Sequence, residues 1–435
     1  MTTEAAPPVA RGQVAAWGLW DWGSSAYNTI TLTFVFSVYL TSSVGKGLPG
    51  SVGADSWLGW AIGGAGLVIA LMAPVIGQGA DRAGHRLRST GIWTAATVVS
   101  MALLVLVQDD WHYLWLGLTL VALGSIFFEL AAVSYNAVLT QISTPATIGR
   151  ISGFGWSMGY FGGIVLLLVA YVLFLSGDGG LLGLSTANGW NVRLVALVAA
   201  GWFTVFAIPL FLAVPETRPD PDRPARLGVV GSYRALFRDL RDLYRVAPHT
   251  VYFLGASALF RDGLAAVFTF GGVLATVVYG FDSGTVLVFA IAANVVSGLG
   301  AIVGGRIDDR IGPKPVIVGS LIGLIVAGVV LLFVSGSTAF WVVGLFLCLF
   351  VGPAQSSSRT FLGRLCPPGR EGQLYGLYAT TGRAVSALAP WLFGLFALIS
   401  TRAGMVGILL VLTAGLLALW PVHPPAVAAT APQQP

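Results

Sequence analysis

The sequence predicts an all-α membrane protein in which twelve transmembrane helices form two six-helix bundles. Three observations lead to this fold class. The chain of 435 residues is 56% hydrophobic and 9% charged, long apolar runs recur along it, and one polar element occurs twice. A soluble domain carries about 25% charged residues, whereas a helix needs about 20 apolar residues to cross the hydrocarbon layer. The composition therefore excludes a soluble protein and indicates repeated membrane crossing.

The apolar runs predict twelve spans, which are numbered 1 to 12 from the N-terminus. They lie near residues 15–41, 58–79, 89–107, 113–138, 151–175, 191–213, 250–276, 284–305, 315–335, 338–360, 372–398 and 403–420. The first run is long and has no clear small-residue cleavage site. We therefore expect it to remain as span 1 rather than to act as a cleavable signal peptide.

The longest polar interval, 215–249, separates six spans from six. The domains expected are an N-terminal segment at 1–14, a six-helix bundle at 15–213, a central loop at 214–249, a second six-helix bundle at 250–420 and a disordered tail at 421–435. The second part of the central loop, from Arg234 to Arg245, has the pattern of an amphipathic helix that lies on the membrane surface.

The basic residues predict the orientation of the spans. One side of the membrane receives nearly all of the basic loops, and the loop after span 10 is expected to begin near Arg359. The opposite side holds only Lys46, Arg193 and Arg402. Because loops rich in Lys and Arg stay in the cytoplasm, we expect a multi-pass protein of the cell (plasma) membrane with both termini cytoplasmic.

A ten-residue element occurs after span 2 and again after span 8. Both copies have the form G-x-x-x-D-R-x-G-x-basic, which indicates that a six-span unit was duplicated. An aspartate can cap a helix N-terminus and an arginine can pair with an acid on a neighbouring helix, so the element is expected to act as a gate. Its residues are Gly77, Asp81, Arg82, Gly84, Arg86, Gly305, Asp309, Arg310, Gly312 and Lys314. The alternative is a basic loop that only sets topology.

Three further segments carry a resemblance to a known family. They are Trp20-Asp21-Trp22-Gly23-Ser24-Ser25-Ala26-Tyr27 in span 1, Ser152-Gly153 with Gly159-Tyr160-Phe161-Gly162-Gly163 in span 5, and Gly369-Arg370-Glu371 with Tyr375-Gly376-Leu377-Tyr378 and Gly382-Arg383 in span 11. With the repeat, they resemble the major facilitator superfamily, and within it the vacuole-effluxer (autophagy-related) branch and its bacterial relatives. The resemblance implies a twelve-helix transporter; fungal relatives are described as exporting amino acids from the vacuole.

Ionisable and polar side chains inside the spans are the candidate site. A charge at the bilayer midplane costs about 2.5–3.5 kcal/mol on insertion scales, so it needs a partner, a water-filled cavity or a function. The candidate substrate-binding residues are Asp21, Asn28, Glu129, Asn136, Tyr160, Arg261, Asp262, Gln355 and Arg383. Of these, Arg261 and Arg383 are expected to hold an anionic group such as a substrate carboxylate.

Asp21, Glu129 and Asp262 are the candidates for proton coupling. The alternative is that each intramembrane charge only pairs with a fixed partner on another helix. In that case Glu129 would accept from a gate arginine such as Arg82.

Other classes of function lack their motifs. The chain has no G-x-x-x-x-G-K-[ST] nucleotide loop and no G-x-S-x-G nucleophile turn, and its four histidines and two cysteines have no metal-ligand spacing. No enzyme activity, cofactor or metal is therefore expected. The partners expected are a small-molecule substrate, the lipid bilayer and, if transport is coupled, protons; nucleic acid is excluded, and a monomer is expected.

The function expected is secondary active or facilitative transport by alternating access. The solute is expected to be small and polar, an amino acid or a similar organic anion or zwitterion. Two alternatives remain open at this point: efflux of amphipathic or toxic compounds, and a non-transporting receptor on a transporter fold.

Overall fold

The computed structural model describes residues 10–177, 179–216, 229–367 and 369–423, and all regular structure in these ranges is helical. Ten continuous helices in them are long and apolar enough to cross a bilayer. These are Ala54–Ala83, Arg86–Leu106, Trp111–Gln141, Ile148–Leu175, Ala187–Ala213, Pro248–Val277, Gly284–Ile311, Pro313–Phe333, Ser337–Leu365 and Thr401–Leu419, which form spans 2 to 10 and span 12. Spans 1 and 11 are interrupted helices. The predicted twelve-helix, two-bundle fold class is confirmed.

Span 1 changes helix type along its length. It begins as the α-helix Arg11–Ala26, four residues earlier than predicted, and continues as a π-helix over Tyr27–Phe34. A short α-helix, Phe36–Tyr39, and a second π-helix, Leu40–Val44, complete it. Segments of π-helix are rare and are frequent at functional sites.

Span 11 is broken into the helices Glu371–Val385 and Leu388–Ala397. Pro390 explains the break, because proline has no N–H and its ring clashes with the carbonyl four residues earlier, here that of Ser386. The second helix needs acceptors for its first N–H groups, since water cannot supply them in hydrocarbon. The carboxylate of Asp262 in span 7 accepts the N–H of Ala389 at 2.7 Å and so stabilises the break.

The two halves meet along two seams, which pair span 2 with span 11 and span 5 with span 8. In the first seam a side chain on Gly77 would overlap the carbonyl of Gly372, so the two backbones are in direct contact. Pro74 leaves the carbonyl of Ala70 without its usual helical donor. The hydroxyl of Thr380 in span 11 donates to this carbonyl at 2.8 Å, which joins the halves by a hydrogen bond.

The central loop contains the predicted amphipathic helix, at Val229–Val246, called here the central helix. Residues 217–228 of the loop lie outside the described residues. The start of the predicted disordered tail packs on the protein instead: Val422 is buried, and the ring of His423 lies 5.2 Å from that of His249. The rest of the tail, 424–435, also lies outside the described residues.

Candidate functional site

A cavity of about 570 Å³ lies between the two halves and is lined by residues from both. Eight of the nine candidate substrate-binding residues line it: Asp21, Asn28, Glu129, Asn136, Tyr160, Arg261, Gln355 and Arg383. Asp262 is not part of the lining. Its carboxylate instead points to the break in span 11, where it accepts from Ala389.

Arg359, which was expected at the very end of span 10 and counted with the basic loop after it, lies inside the helix and lines the cavity. It is 5% exposed, and its Nη1 lies 3.5 Å from Oδ2 of Asp21 in the other half. The same guanidinium donates to Oγ of Ser152 at 2.9 Å, to the carbonyl of Ser152 at 2.7 Å and to Oδ1 of Asn136 at 3.1 Å. An arginine of the C-terminal half is thus held almost entirely by groups of the N-terminal half.

Aromatic stacking positions Asp21 for this contact. Tyr135 of span 4 stacks between Trp17 and Trp20 of span 1, with ring centroids 4.8 and 4.0 Å apart. Its hydroxyl donates to the carbonyl of Trp17, which fixes span 1 against span 4. Gly155 leaves the room for the pair, because a side chain there would overlap Oδ2 of Asp21 and approach Nη2 of Arg359 to 2.9 Å.

A second ion pair also joins the two halves. Oε2 of Glu129 in span 4 accepts from Nη2 of Arg383 in span 11 at 3.0 Å, and both side chains are partly exposed to the cavity. The alternative partner considered for Glu129, Arg82, lies elsewhere, at 3.9 Å from Asp239 of the central helix. Glu129 therefore does not accept from the gate.

Arg261 has no carboxylate within ion-pair distance among the described residues. Its guanidinium lies 3.6 Å above the ring of Tyr378, and Nη1 donates to the carbonyl of the same residue at 3.0 Å. The hydroxyl of Tyr378 is in turn hydrogen-bonded to Ser358 at 2.7 Å, which holds the ring in place. Most of the five N–H donors of Arg261 thus remain available to the cavity.

The lining carries one net positive charge, since it contains three arginines and two carboxylates. Two further polar groups of the lining have buried atoms without a hydrogen-bond partner among the described residues, namely Nε1 of Trp156 and the hydroxyl of Tyr160. Buried polar groups are nearly always paired.

The gate element after span 2 closes one end of the cavity. Asp81 accepts hydrogen bonds from the N–H groups of Gly372 and Gln373 at 3.0 and 2.9 Å, which caps the N-terminus of span 11. Arg86, not Arg82, supplies the cation: it bonds Asp81 at 2.8 Å and also pairs with Glu371. Gly84 ends span 2 at a φ of +64°, a conformation that favours glycine.

The second copy of the element closes the other seam in the same way. Asp309 accepts from the N–H groups of Gly149 and Arg150 at 2.7 and 3.2 Å, which caps the N-terminus of span 5. The cations differ, because Asp309 lies 3.7 Å from Arg150 of span 5 and 3.8 Å from Arg364 of span 10, which also pairs with Asp308 at 2.8 Å. Lys314, which occupies the position of Arg86, donates to the carbonyl of Trp420 instead.

The remaining gate residues lie at these two sites. Gly305 contacts the backbone of Gly149, and Gly312 has a φ of +89° between spans 8 and 9. Arg310 follows Asp309 at the end of span 8.

The face that carries these elements and the ends of the spans next to them is called the basic face. The cavity is closed at the basic face and extends toward the opposite face, where Phe34 and Leu287 line it.

Asp262 offers a test that separates structural support from proton exchange. Asp262→Asn keeps an oxygen that accepts the N–H of Ala389, whereas Asp262→Leu leaves that N–H unpaired at a cost of about 1–3 kcal/mol. We expect the purified Asp262→Asn protein to keep its melting temperature and the Asp262→Leu protein to melt several degrees lower. Equal melting temperatures for the two variants would contradict the capping role.

Comparisons with known proteins agree with the fold. The E. coli fucose:proton symporter FucP matches with a TM-score of 0.70 over 94% of this chain and 97% of that chain, at 14% identity, which shows a shared fold. The MFS-type transporter YxiO of Bacillus subtilis is 24% identical over 398 residues, which cover 90% of both chains. Autophagy-related protein 22-1 of Neosartorya fischeri is 27% identical over 286 residues, which span 58% of this chain and 45% of the fungal protein.

The family described as "Vacuole effluxer Atg22 like" matches residues 143–426. This match covers more than half of the chain, and the helices, the two seams and the central cavity are those of a transporter fold. The chain therefore belongs to the Atg22-like vacuole effluxer family within the major facilitator superfamily, and it is an integral, multi-pass membrane protein that transports a solute.

Proposed function

We propose that the chain transports a small zwitterion or organic anion with a carboxylate group, of which an amino acid is the first example to test. The observation that carries this proposal is the charge of the cavity. Its lining has one arginine more than it has carboxylates, and Arg261 is the lining arginine that no carboxylate of the described residues neutralises. A substrate carboxylate would restore the balance.

The geometry of Arg261 suits such a ligand. A guanidinium binds a carboxylate through two parallel N–H···O hydrogen bonds, and stacking on Tyr378 holds its plane fixed in advance. The ammonium group of a zwitterion has its own acceptors in the same cavity, because the carboxylates of Glu129 and Asp21 both line it and both side chains are partly exposed. Arg261 then forms the carboxylate side of the site and these two carboxylates form the ammonium side, while Asp262 supports the break in span 11.

Transport proceeds by alternating access in this proposal. The basic face is the cytoplasmic face of the cell membrane, so the conformation described is closed to the cytoplasm. The Asp21–Arg359 and Glu129–Arg383 pairs each join the two halves, and they must separate when the halves rock. A proton on Asp21 or Glu129 would lower the cost of this separation, which couples proton movement to the cycle.

The experiment is uptake into proteoliposomes that contain the purified protein. A radiolabelled panel of amino acids, dicarboxylates, neutral sugars and cationic amines is tested with and without a pH gradient. We expect flux of carboxylate-bearing solutes and none of neutral sugars, with accumulation driven by the gradient. Flux of sugars or amines without any flux of carboxylates would overturn the proposal.

A second candidate function is efflux of amphipathic compounds. The aromatic part of the lining favours it, since Trp20, Phe34, Phe128 and Trp156 all border the cavity and such rings pack against flat apolar groups. Cells that express the protein would then retain less of an amphipathic dye than cells with the empty vector. Unchanged dye retention together with amino acid uptake would exclude this second candidate and support the first proposal.

A further inference from the structure

The central helix, Val229–Val246, has two faces of different chemistry. One face is buried against the protein through Ala235, Leu236, Asp239 and Leu243. The other face is exposed and combines apolar or aromatic groups with four arginines and one carboxylate, that of Asp242. Its exposed residues include Val230, Arg234, Phe237, Arg238, Arg241, Tyr244, Arg245 and Val246.

The position of the central helix places this exposed face beside the bilayer. The hydroxyl of Tyr233 donates to the carbonyl of Leu71 at 2.8 Å. Leu71 is 61% exposed on the lipid-facing side of span 2, twelve residues before that span ends at Ala83, or roughly 18 Å along the helix. The start of the central helix therefore packs beside a part of span 2 that is expected to face lipid, on the side of the basic face.

The buried face reaches the first seam. Oδ2 of Asp239 accepts from the side-chain amide of Gln78 in span 2 at 3.3 Å and from that of Gln373 in span 11 at 3.4 Å. Arg82 lies 3.9 Å from the same oxygen. One carboxylate of the central helix thus bonds both halves of the molecule where the basic face is closed, beside the cap made by Asp81.

Within the described ranges, no acidic partner explains the exposed arginines. None of Arg234, Arg238, Arg241 and Arg245 forms an ion pair with a carboxylate of the described residues. Arginines that alternate with aromatic and apolar groups on one exposed face are typical of helices held at a membrane surface by anionic lipids. Apolar groups enter the acyl region, and the guanidinium groups reach the phosphates.

We propose that the exposed face of the central helix binds the headgroups of anionic lipids in the leaflet at the basic face, and that this binding holds Asp239 across the first seam and stabilises the closed basic face. Lipid composition then sets how readily the basic face opens. The link is mechanical, because the lipid-binding face and Asp239 belong to one helix. It does not depend on the identity of the solute.

The chain carries its own reporter for opening of the basic face. Cys366 lies between spans 10 and 11, and its thiol donates to the carbonyl of Pro367 at 3.3 Å. Burial raises the pKa of this thiol, and the nearby carboxylates of Glu371 and Asp81 raise it further. Because the thiolate is the reactive form, Cys366 should react slowly with a soluble maleimide while the face is closed. Cys348→Ala leaves it as the single cysteine.

The experiment measures the alkylation rate of Cys366 in the Cys348→Ala protein in two kinds of nanodisc, phosphatidylcholine alone and phosphatidylcholine with phosphatidylglycerol. We expect several-fold slower alkylation in the anionic nanodiscs. High salt should remove this difference without any substitution, since it screens the headgroup charge. The combined variant Arg234→Gln, Arg238→Gln, Arg241→Gln and Arg245→Gln should also remove it, whereas Lys46→Gln, on the opposite face, should keep it.

The variant Asp239→Ala tests whether the lipid effect on alkylation acts through the first seam. This variant keeps the four arginines but loses the bonds to Gln78 and Gln373, so alkylation should be fast in both lipid compositions. Equal rates for the parent protein in both lipids would overturn the proposal. It would also be overturned if the combined variant of the four arginines kept the lipid dependence. The same holds if inorganic phosphate, added to phosphatidylcholine nanodiscs, slowed alkylation as much as phosphatidylglycerol does.

Discussion

Arg359→Ala is expected to abolish solute transport and to destabilise the protein. The substitution leaves the carboxylate of Asp21, 17% exposed, without its cation, and it removes three hydrogen bonds to Ser152 and Asn136. Breaking a buried ion pair from one side costs about 3–5 kcal/mol. The initial rate of uptake in proteoliposomes and the melting temperature of the purified protein measure the two effects.

Two control variants separate the charge of Arg359 from its geometry. Arg359→Lys keeps the charge but cannot reproduce the planar set of donors, so transport should stay strongly reduced while the melting temperature recovers in part. The double variant Asp21→Asn with Arg359→Met removes both charges and should restore stability without restoring transport. An Arg359→Ala protein with the parent rate of uptake would contradict the role of this pair.

Arg261→Gln is expected to weaken substrate binding by about 10- to 150-fold, because a hydrogen bond to a charged group contributes about 1.5–3 kcal/mol. Stability should change little, since Arg261 has no carboxylate that the substitution would leave unpaired. The measurement is the KM for uptake of the solute that the panel identifies, together with the melting temperature.

Arg402 provides a matched control for Arg261. It also lies over a tyrosine, with its guanidinium 5.6 Å from the ring of Tyr279, and it also donates to a backbone carbonyl, that of Leu332. It does not line the cavity, so Arg402→Gln should leave the KM unchanged. A KM that is equal in the Arg261→Gln protein and the parent would show that the carboxylate side of the site lies elsewhere.

The fold could be predicted because bilayer physics leaves few choices. Charge depletion, the lengths of the apolar runs and the repeated Gly-x-x-x-Asp-Arg element were sufficient for twelve spans in two halves. The interruptions were harder to predict. Pro390 was a visible signal for the break in span 11, but the π-helix over Tyr27–Phe34 has no comparable signal in the sequence.

The site was predictable only in part, because hydropathy does not show which residues meet. Hydropathy ended span 10 at 360, and Arg359, at that predicted end, was counted with the basic loop that follows, although the helix continues to Leu365. Its burial depends on Asp21 and Ser152, which come from the other half of the chain. Asp262 was expected in the cavity because it is charged and central, but the nearby helix start that it caps becomes visible only in three dimensions.

The gate element shows a similar limit. The repeated pattern puts a basic residue at the same place in both copies, Arg86 or Lys314, yet in the described part of the chain only Arg86 pairs with the aspartate of its own element. In the second copy the cations near the aspartate are Arg150 of span 5 and Arg364 of span 10. The two copies have kept the aspartate that caps a helix in the other half, and they have changed the group that neutralises it.

The most direct test of the account asks whether the cavity opens to one face at a time. In a protein with Cys348→Ala and Cys366→Ala, the substitution Asn28→Cys puts a single thiol on the exposed lining of the cavity. A membrane-impermeant maleimide is added to either side of sealed vesicles of known orientation. We expect modification from the face opposite the basic face, and from the basic face as well once Asp81→Ala and Asp309→Ala remove the two caps. Equal modification from both faces before the caps are removed, or none from the basic face afterwards, would contradict the account.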